Sequence, residues 1–114
     1  MTLPLGVTAP RQARHALAER FAGHPRGEDL LLCVSEVVTN AVLHAGTPPH
    51  LRVSQSGDTV RVEVADADDR PPVLGRSDPL ATSGRGLRIL DQLAARWGST
   101  PTGPGKAVWF EFDL

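Results

Sequence analysis

The sequence predicts an α+β fold: a two-layer sandwich in which three helices cover one face of a mixed, mostly antiparallel sheet. Three observations predict it. Apolar residues recur at helical spacing in three separate stretches. The middle of the chain carries two alternating segments joined by a short turn, which a doubly wound parallel sheet would not need. The 11 glycines and 10 prolines fall between these periodic segments and cut the chain into elements. At 114 residues, the chain reads as one domain, 1–114.

The elements follow in order. Leu3, Leu5 and Val7 alternate as a short edge strand would. Thr8 is placed to cap a first helix, and Pro10 suits its first turn. Ala13, Ala16, Leu17 and Phe21 then keep helical spacing as far as Gly23. A second helix is expected over residues 28–44. Glu28 and Asp29 suit its positive end, and Leu30, Val34, Val37 and Ala41, with Leu31, Val38 and Val42, line its apolar side. Gly46, Pro48 and Pro49 end it. Leu51 and Val53 alternate with Arg52 and Ser54, Ser56-Gly57-Asp58 supplies a turn, and Val60, Val62 and Val64 alternate with Arg61 and Glu63. An irregular stretch over 65–83 follows. A third helix is expected over residues 86–97, with Leu87, Leu90, Leu93, Ala94 and Trp97 inward and Gly98 as its C-cap. The last strand sets Val108, Phe110, Phe112 and Leu114 on one face and Trp109, Glu111 and Asp113 on the other.

Composition excludes several classes. Twelve basic and 13 acidic residues leave a net charge of -1, which disfavours a protein that grips nucleic acid by charge. No apolar run approaches the ~20 residues of a membrane span, and the first residues lack the basic start of a signal peptide. One cysteine, Cys33, allows neither an internal disulfide nor a cysteine zinc site. The expected compartment is the cytoplasm, with no nucleic-acid or membrane partner.

Four stretches could carry chemistry. In the second helix, Glu36, Asn40 and His44 are four residues apart and share a stripe. A carboxylate and an amide one turn apart suit a phosphate-bound Mg²⁺, which takes hard oxygen ligands and keeps several waters; a solvated helix face carries the same spacing. Asp66 ends the valine strand, where it could accept a hydrogen bond from an exocyclic amine such as adenine's or could simply start a turn. Ser83-Gly84-Arg85-Gly86-Leu87 opens an amphipathic helix, so backbone N–H groups could meet a phosphate there; a tight loop explains the glycines equally well. Residues 73–83 just before it suit a lid. Lys106, in Gly105-Lys106-Ala107-Val108, precedes the final strand and could reach a phosphate or be a solvated turn lysine. The stretch is not a Walker motif, which would need a helix after it.

Taken in order, these features resemble the Bergerat-type ATP-binding fold of the GHKL superfamily, which includes gyrase, MutL and the histidine kinases. Ser35-Glu36-Val37-Val38-Thr39-Asn40-Ala41, Val62-Glu63-Val64-Ala65-Asp66, Gly84-Arg85-Gly86-Leu87 and Gly105-Lys106-Ala107-Val108-Trp109-Phe110 are similar to its small stand-alone branch. That branch comprises the anti-sigma factor serine/threonine kinases of the RsbW and SpoIIAB type, in the form numerous in actinomycetes. The resemblance covers nearly the whole chain. It implies ATP and Mg²⁺ as cofactors. It matches Glu36 to the general base that activates the attacking hydroxyl, Asn40 to the Mg²⁺ ligand and Asp66 to the adenine-reading aspartate. Gly84 and Gly86 match the glycines under the phosphates, Arg85 between them would touch the terminal phosphates, Leu87 closes that motif, and His44 lies on the nucleotide-site stripe. Members of the branch hold a sigma factor inactive and phosphorylate a serine or threonine on a STAS-domain antagonist, and small relatives often form homodimers.

The chain departs from the pattern in two places. Asp66 is followed by Ala67-Asp68-Asp69-Arg70 and Pro71-Pro72 where the superfamily reads D-x-G-x-G, and Ala107 stands where many relatives have threonine. These departures keep a second reading open: a regulatory module of the same fold, acting by sequestration with weak or absent catalysis. A histidine kinase fragment is disfavoured, because the chain has no room for a dimerising phospho-acceptor helix pair.

Overall fold

The computed structural model describes residues 1–4, 6–44, 48–66, 82–102 and 105–114, with side chains at 44 and 82–86 outside that description. Its elements are α1 (Ala9–Ala18), α2 (Gly27–His44), β1 (His50–Ser56), β2 (Thr59–Asp66), α3 (Thr82–Leu93), β3 (Arg96–Thr102) and β4 (Gly105–Asp113). The four strands form one sheet in the order β1-β2-β4-β3, and every pair is antiparallel, so the expected mixed character is absent from these strands.

Alternation decides which face is buried. Val60, Val62 and Val64 of β2 pair across with Phe112, Phe110 and Val108 of β4. All six are buried, in one cluster with Leu51, with Leu30, Val34, Val37 and Val38 of α2, and with Leu87 and Leu90 of α3. α2 packs on β2, and α1 and α3 pack on α2. The helices therefore form one layer on one face, as the apolar stripes require. The β1–β2 hairpin closes over Gly57 and Asp58, and Gly57 adopts a φ of 58°, a left-handed conformation that glycine takes without strain. Among the described residues, no helix is long and apolar enough to cross a membrane.

Several expected boundaries move. The N-terminal segment forms only an isolated bridge, Thr2 to His50, with Leu3 buried and Val7 almost fully exposed; Leu5 lies outside the described residues. Thr8 occupies the N-cap of α1 but makes no side-chain capping bond. α1 stops at Ala18, and Phe21 reaches the core from the turn that follows. α3 begins at Thr82 and ends at Leu93, so Gly84 and Gly86 lie inside the helix. Trp97 and Gly98 are not a helix end but part of β3. The lid expected over 73–83 and the altered glycine box at 67–72 fall outside the described residues, apart from the helical backbone of Thr82 and Ser83.

The opposite face of the sheet carries an ion-pair lattice around one aromatic ring. The Arg61 guanidinium sits 4.1 Å from the centroid of the Trp109 ring. It donates to Glu63 at 2.7 Å and to Glu111 at 3.2 Å. Arg96 donates to Glu111 at 2.7 Å and to Asp113 at 2.6 Å, and the Thr59 hydroxyl donates to Asp113 at 3.0 Å. Hydrogen bonds from Arg96 hold the Glu111 and Asp113 carboxyls below their ordinary range. Gly98 faces the same indole from the β3 side: a Cβ built there would lie 2.8 Å from Trp109 Cζ2.

Candidate functional site

One arginine orients the helical layer. Arg26, just before α2, donates to the Leu93 carbonyl at 2.6 Å and to Asp29 at 3.0 Å, and lies 5.0 Å from the centroid of the Phe112 ring. The start of α2, the end of α3 and the Phe112 end of β4 therefore meet at one place. From there, α2 runs across the buried face of the sheet, packed on β2. Asn40 lies 14 positions beyond Arg26, roughly 21 Å at helical rise. β2 runs from Val60, the partner of Phe112, to Asp66 over about 20 Å. Gly84 precedes Leu93 by nine positions, roughly 14 Å along α3. The C-terminal half of α2, the first turn of α3 and the Asp66 end of β2 each lie well along their elements from that meeting point.

Glu36 and Asn40 sit on the rim of α2, both half-buried, between the core stripe of Val37, Val38 and Ala41 and the exposed Leu32 and Leu43. Asn40 Oδ1 is shut off from solvent. The Thr39 hydroxyl, beside them, donates back to the Ser35 carbonyl at 2.7 Å, a local helix bond that spends it away from the site. His44 is the last residue of α2, one turn past Asn40. Gly84, Arg85 and Gly86 place their backbone at the start of α3, whose first turn holds no acidic residue, so its positive end is not neutralised from within. Leu87 is 1% exposed and belongs to the core, so its side chain serves packing.

Asp66 and Lys106 are register partners across β2 and β4. Lys106 Nζ lies 3.3 Å from Asp66 Oδ1, with the side chains 11% and 3% exposed. Lys106 is not the solvated turn residue that the sequence allowed but a nearly buried neighbour of Asp66. The pair escaped sequence reasoning because its members stand 40 positions apart. The signal that could have found it is strand arithmetic: both are inward positions continuing the Val60–Val64 and Val108–Phe112 alternations. Ala107, the next residue of β4, is buried on the other face of the strand and presents only a methyl.

The donor set fits Mg²⁺. A carboxylate and an amide oxygen one turn apart are hard ligands, and Asn40 Oδ1 is already withdrawn from water. Among the described residues, no three His, Cys, Asp or Glu side chains gather. Mg²⁺ bound mainly through phosphates and waters needs no such cage. Asn40, with Glu36 beside it, would hold the ion.

Comparison with known proteins agrees with this architecture. The catalytic domain of the histidine kinase ThkA, in a nucleotide-free form, superposes with a TM-score of 0.58 at 16% identity, covering 91% of this chain and 88% of that one, a likeness of fold. An uncharacterized protein of Streptomyces coelicolor is 42% identical over 81 residues, which span 66% of this chain and 76% of the relative. The sequence profile of the histidine kinase-like ATPase domain matches residues 6–112. Profile and fold together place this chain in the histidine kinase-like ATPase domain family, within the GHKL group.

Proposed function

We propose that the protein is an ATP- and Mg²⁺-dependent serine/threonine kinase of the anti-sigma type, which sequesters a sigma factor and phosphorylates a STAS-domain antagonist. The observation that supports the kinase reading is Glu36 and Asn40 side by side on the rim of α2, with Asn40 Oδ1 shut off from solvent, in a chain of the histidine kinase-like ATPase family. Phosphoryl transfer asks mainly for positioning and charge neutralisation. In this reading Asp66 orients the purine and the first-turn amides of α3 receive the phosphates. Asn40 holds the ion, which supplies charge neutralisation when bound, and Glu36 takes the proton from the attacking hydroxyl. The sigma factor and STAS partners rest on the sequence resemblance alone.

A second reading, a sequestering module with little catalysis, is favoured by one observation: Asp66 is followed by Ala67-Asp68-Asp69-Arg70-Pro71-Pro72 in place of a glycine-rich box. Phosphotransfer from labelled ATP to a STAS-domain antagonist separates the two. Glu36→Ala should lower the rate roughly 10²–10⁴-fold, as loss of a positioned base does, while ATP affinity stays near that of the wild type. No transfer by the wild type to any cognate antagonist would favour the module. Transfer by the variant at the wild-type rate would show that the base lies elsewhere.

A further inference from the structure

We propose that Lys106 is a purine-reading residue that works with Asp66 as a donor–acceptor pair; the inference rests on the reading that Asp66 faces the adenine. The observation is the cross-strand placement of an ammonium 3.3 Å from a carboxylate oxygen, both nearly closed to water, at inward positions of adjacent strands. Adenine presents a donor, its exocyclic amine, next to an acceptor, ring nitrogen N1. Asp66 beside Lys106 is the complement of that edge. An ammonium carries three N–H donors and no acceptor, so it serves Asp66 and a second acceptor at once. The ion pair need not break when the base arrives: the amine donates to Asp66, and Lys106 donates to N1.

The same pair rejects guanine at both positions. The guanine carbonyl oxygen meets the Asp66 carboxylate, and its N1–H meets the Lys106 ammonium. A site built around buried polar partners discriminates strongly because a mismatched base leaves them unmet.

The test uses calorimetric titration of the full chain with Mg²⁺ and four nucleotides: ATP, GTP, 1-deaza-ATP, which lacks the N1 acceptor, and purine riboside triphosphate, which lacks the amine. In the wild type, 1-deaza-ATP and the desamino analogue should each bind roughly ten- to a hundredfold more weakly than ATP, as loss of a hydrogen bond to a charged group predicts. Lys106→Met should bind ATP and 1-deaza-ATP equally and still reject the desamino analogue, while Lys106→Arg should keep the preference for ATP over 1-deaza-ATP. Because the comparison of analogues on the wild type needs no variant, it stands even if Lys106→Met fails to fold. Equal wild-type affinity for ATP and 1-deaza-ATP, with the desamino analogue still rejected, overturns the role of Lys106 and leaves Asp66 as the reader. Tighter ATP binding by Lys106→Met shows that the lysine blocks the base and also overturns it. Equal binding of all four nucleotides, or binding of none, removes the adenine reading itself and this inference with it.

Discussion

Gly98→Ala should destabilise the fold, although replacing a strand glycine by alanine ordinarily stabilises it by about 0.5–1 kcal/mol. The added methyl would lie 2.8 Å from Trp109 Cζ2 and 2.9 Å from Cε2, far inside contact distance. The indole cannot swing freely away. The Arg61 guanidinium covers the ring at 4.1 Å, and Glu63 and Glu111 hold that guanidinium. Overpacking of this kind costs about 1–3 kcal/mol, and displacing the ring also loses a cation–π contact of about 0.5–1 kcal/mol. Set against the glycine gain, the net is a loss of about 1–2 kcal/mol, or roughly 4–8 °C in Tm. Urea and thermal unfolding of wild type, Gly98→Ala, Trp109→Leu and the double variant form the assay. In the Trp109→Leu background the alanine should become neutral or slightly stabilising. A Gly98→Ala variant as stable as the wild type, or an equal penalty with and without the indole, would refute the argument.

Asn40→Ala should abolish most of the Mg²⁺ enhancement of ATP affinity and leave the chelator-treated affinity unchanged; titration with and without metal reads both. Arg96 hydrogen bonds lower the Glu111 and Asp113 pKa values in the folded state, so their contribution is present above the unfolded carboxylate range of about 4 and is lost as pH falls below it. Arg96→Ala should therefore reduce the urea midpoint at pH 7 and converge with the wild type in acid, with added salt narrowing the gap because the lattice faces water. Burial, aided by Asp29, pushes the Cys33 thiol up to about 12. Ellman's reagent should accordingly react with Cys33 only as fast as the protein unfolds.

Where one face of an element is buried, its pattern was readable in the sequence. β2 and β4 alternate because helices cover one side only, and α2 was expected within one residue of its start, since its core stripe runs unbroken from Leu30 to Ala41. β3 was not readable. As an edge strand of sequence Arg-Trp-Gly-Ser-Thr-Pro-Thr it buries no residue fully, so no alternation marks it, and Trp97 and Gly98 extend the preceding helical spacing. The start of α3 was missed because Gly84 and Gly86 are poor helix formers, each about 1 kcal/mol worse than alanine; position in the fold overrides that preference. In the site, Glu36 and Asn40 were visible through helical spacing. The Asp66–Lys106 contact was not, because only the β2–β4 register sets it.

The two margins of the sheet bear on aggregation. On one side, Met1 and Thr2 lie along the start of β1: Thr2 bridges His50, and Leu51 exchanges 2.7 Å hydrogen bonds with Met1 through both of its backbone groups. The rest of β1 offers Arg52, Ser54, Gln55 and Ser56 beside a single valine, a sparse template for a passing unfolded chain. On the other side, β3 carries Pro101, which has no backbone N–H to lend, and Gly98, which has no side chain to interdigitate. A neighbour seeking to extend the sheet would find its start occupied at one margin and a donor missing at the other. The fold thus carries its own brake on strand-to-strand polymerisation at both margins, one of them the weak strand whose composition hid it in the sequence.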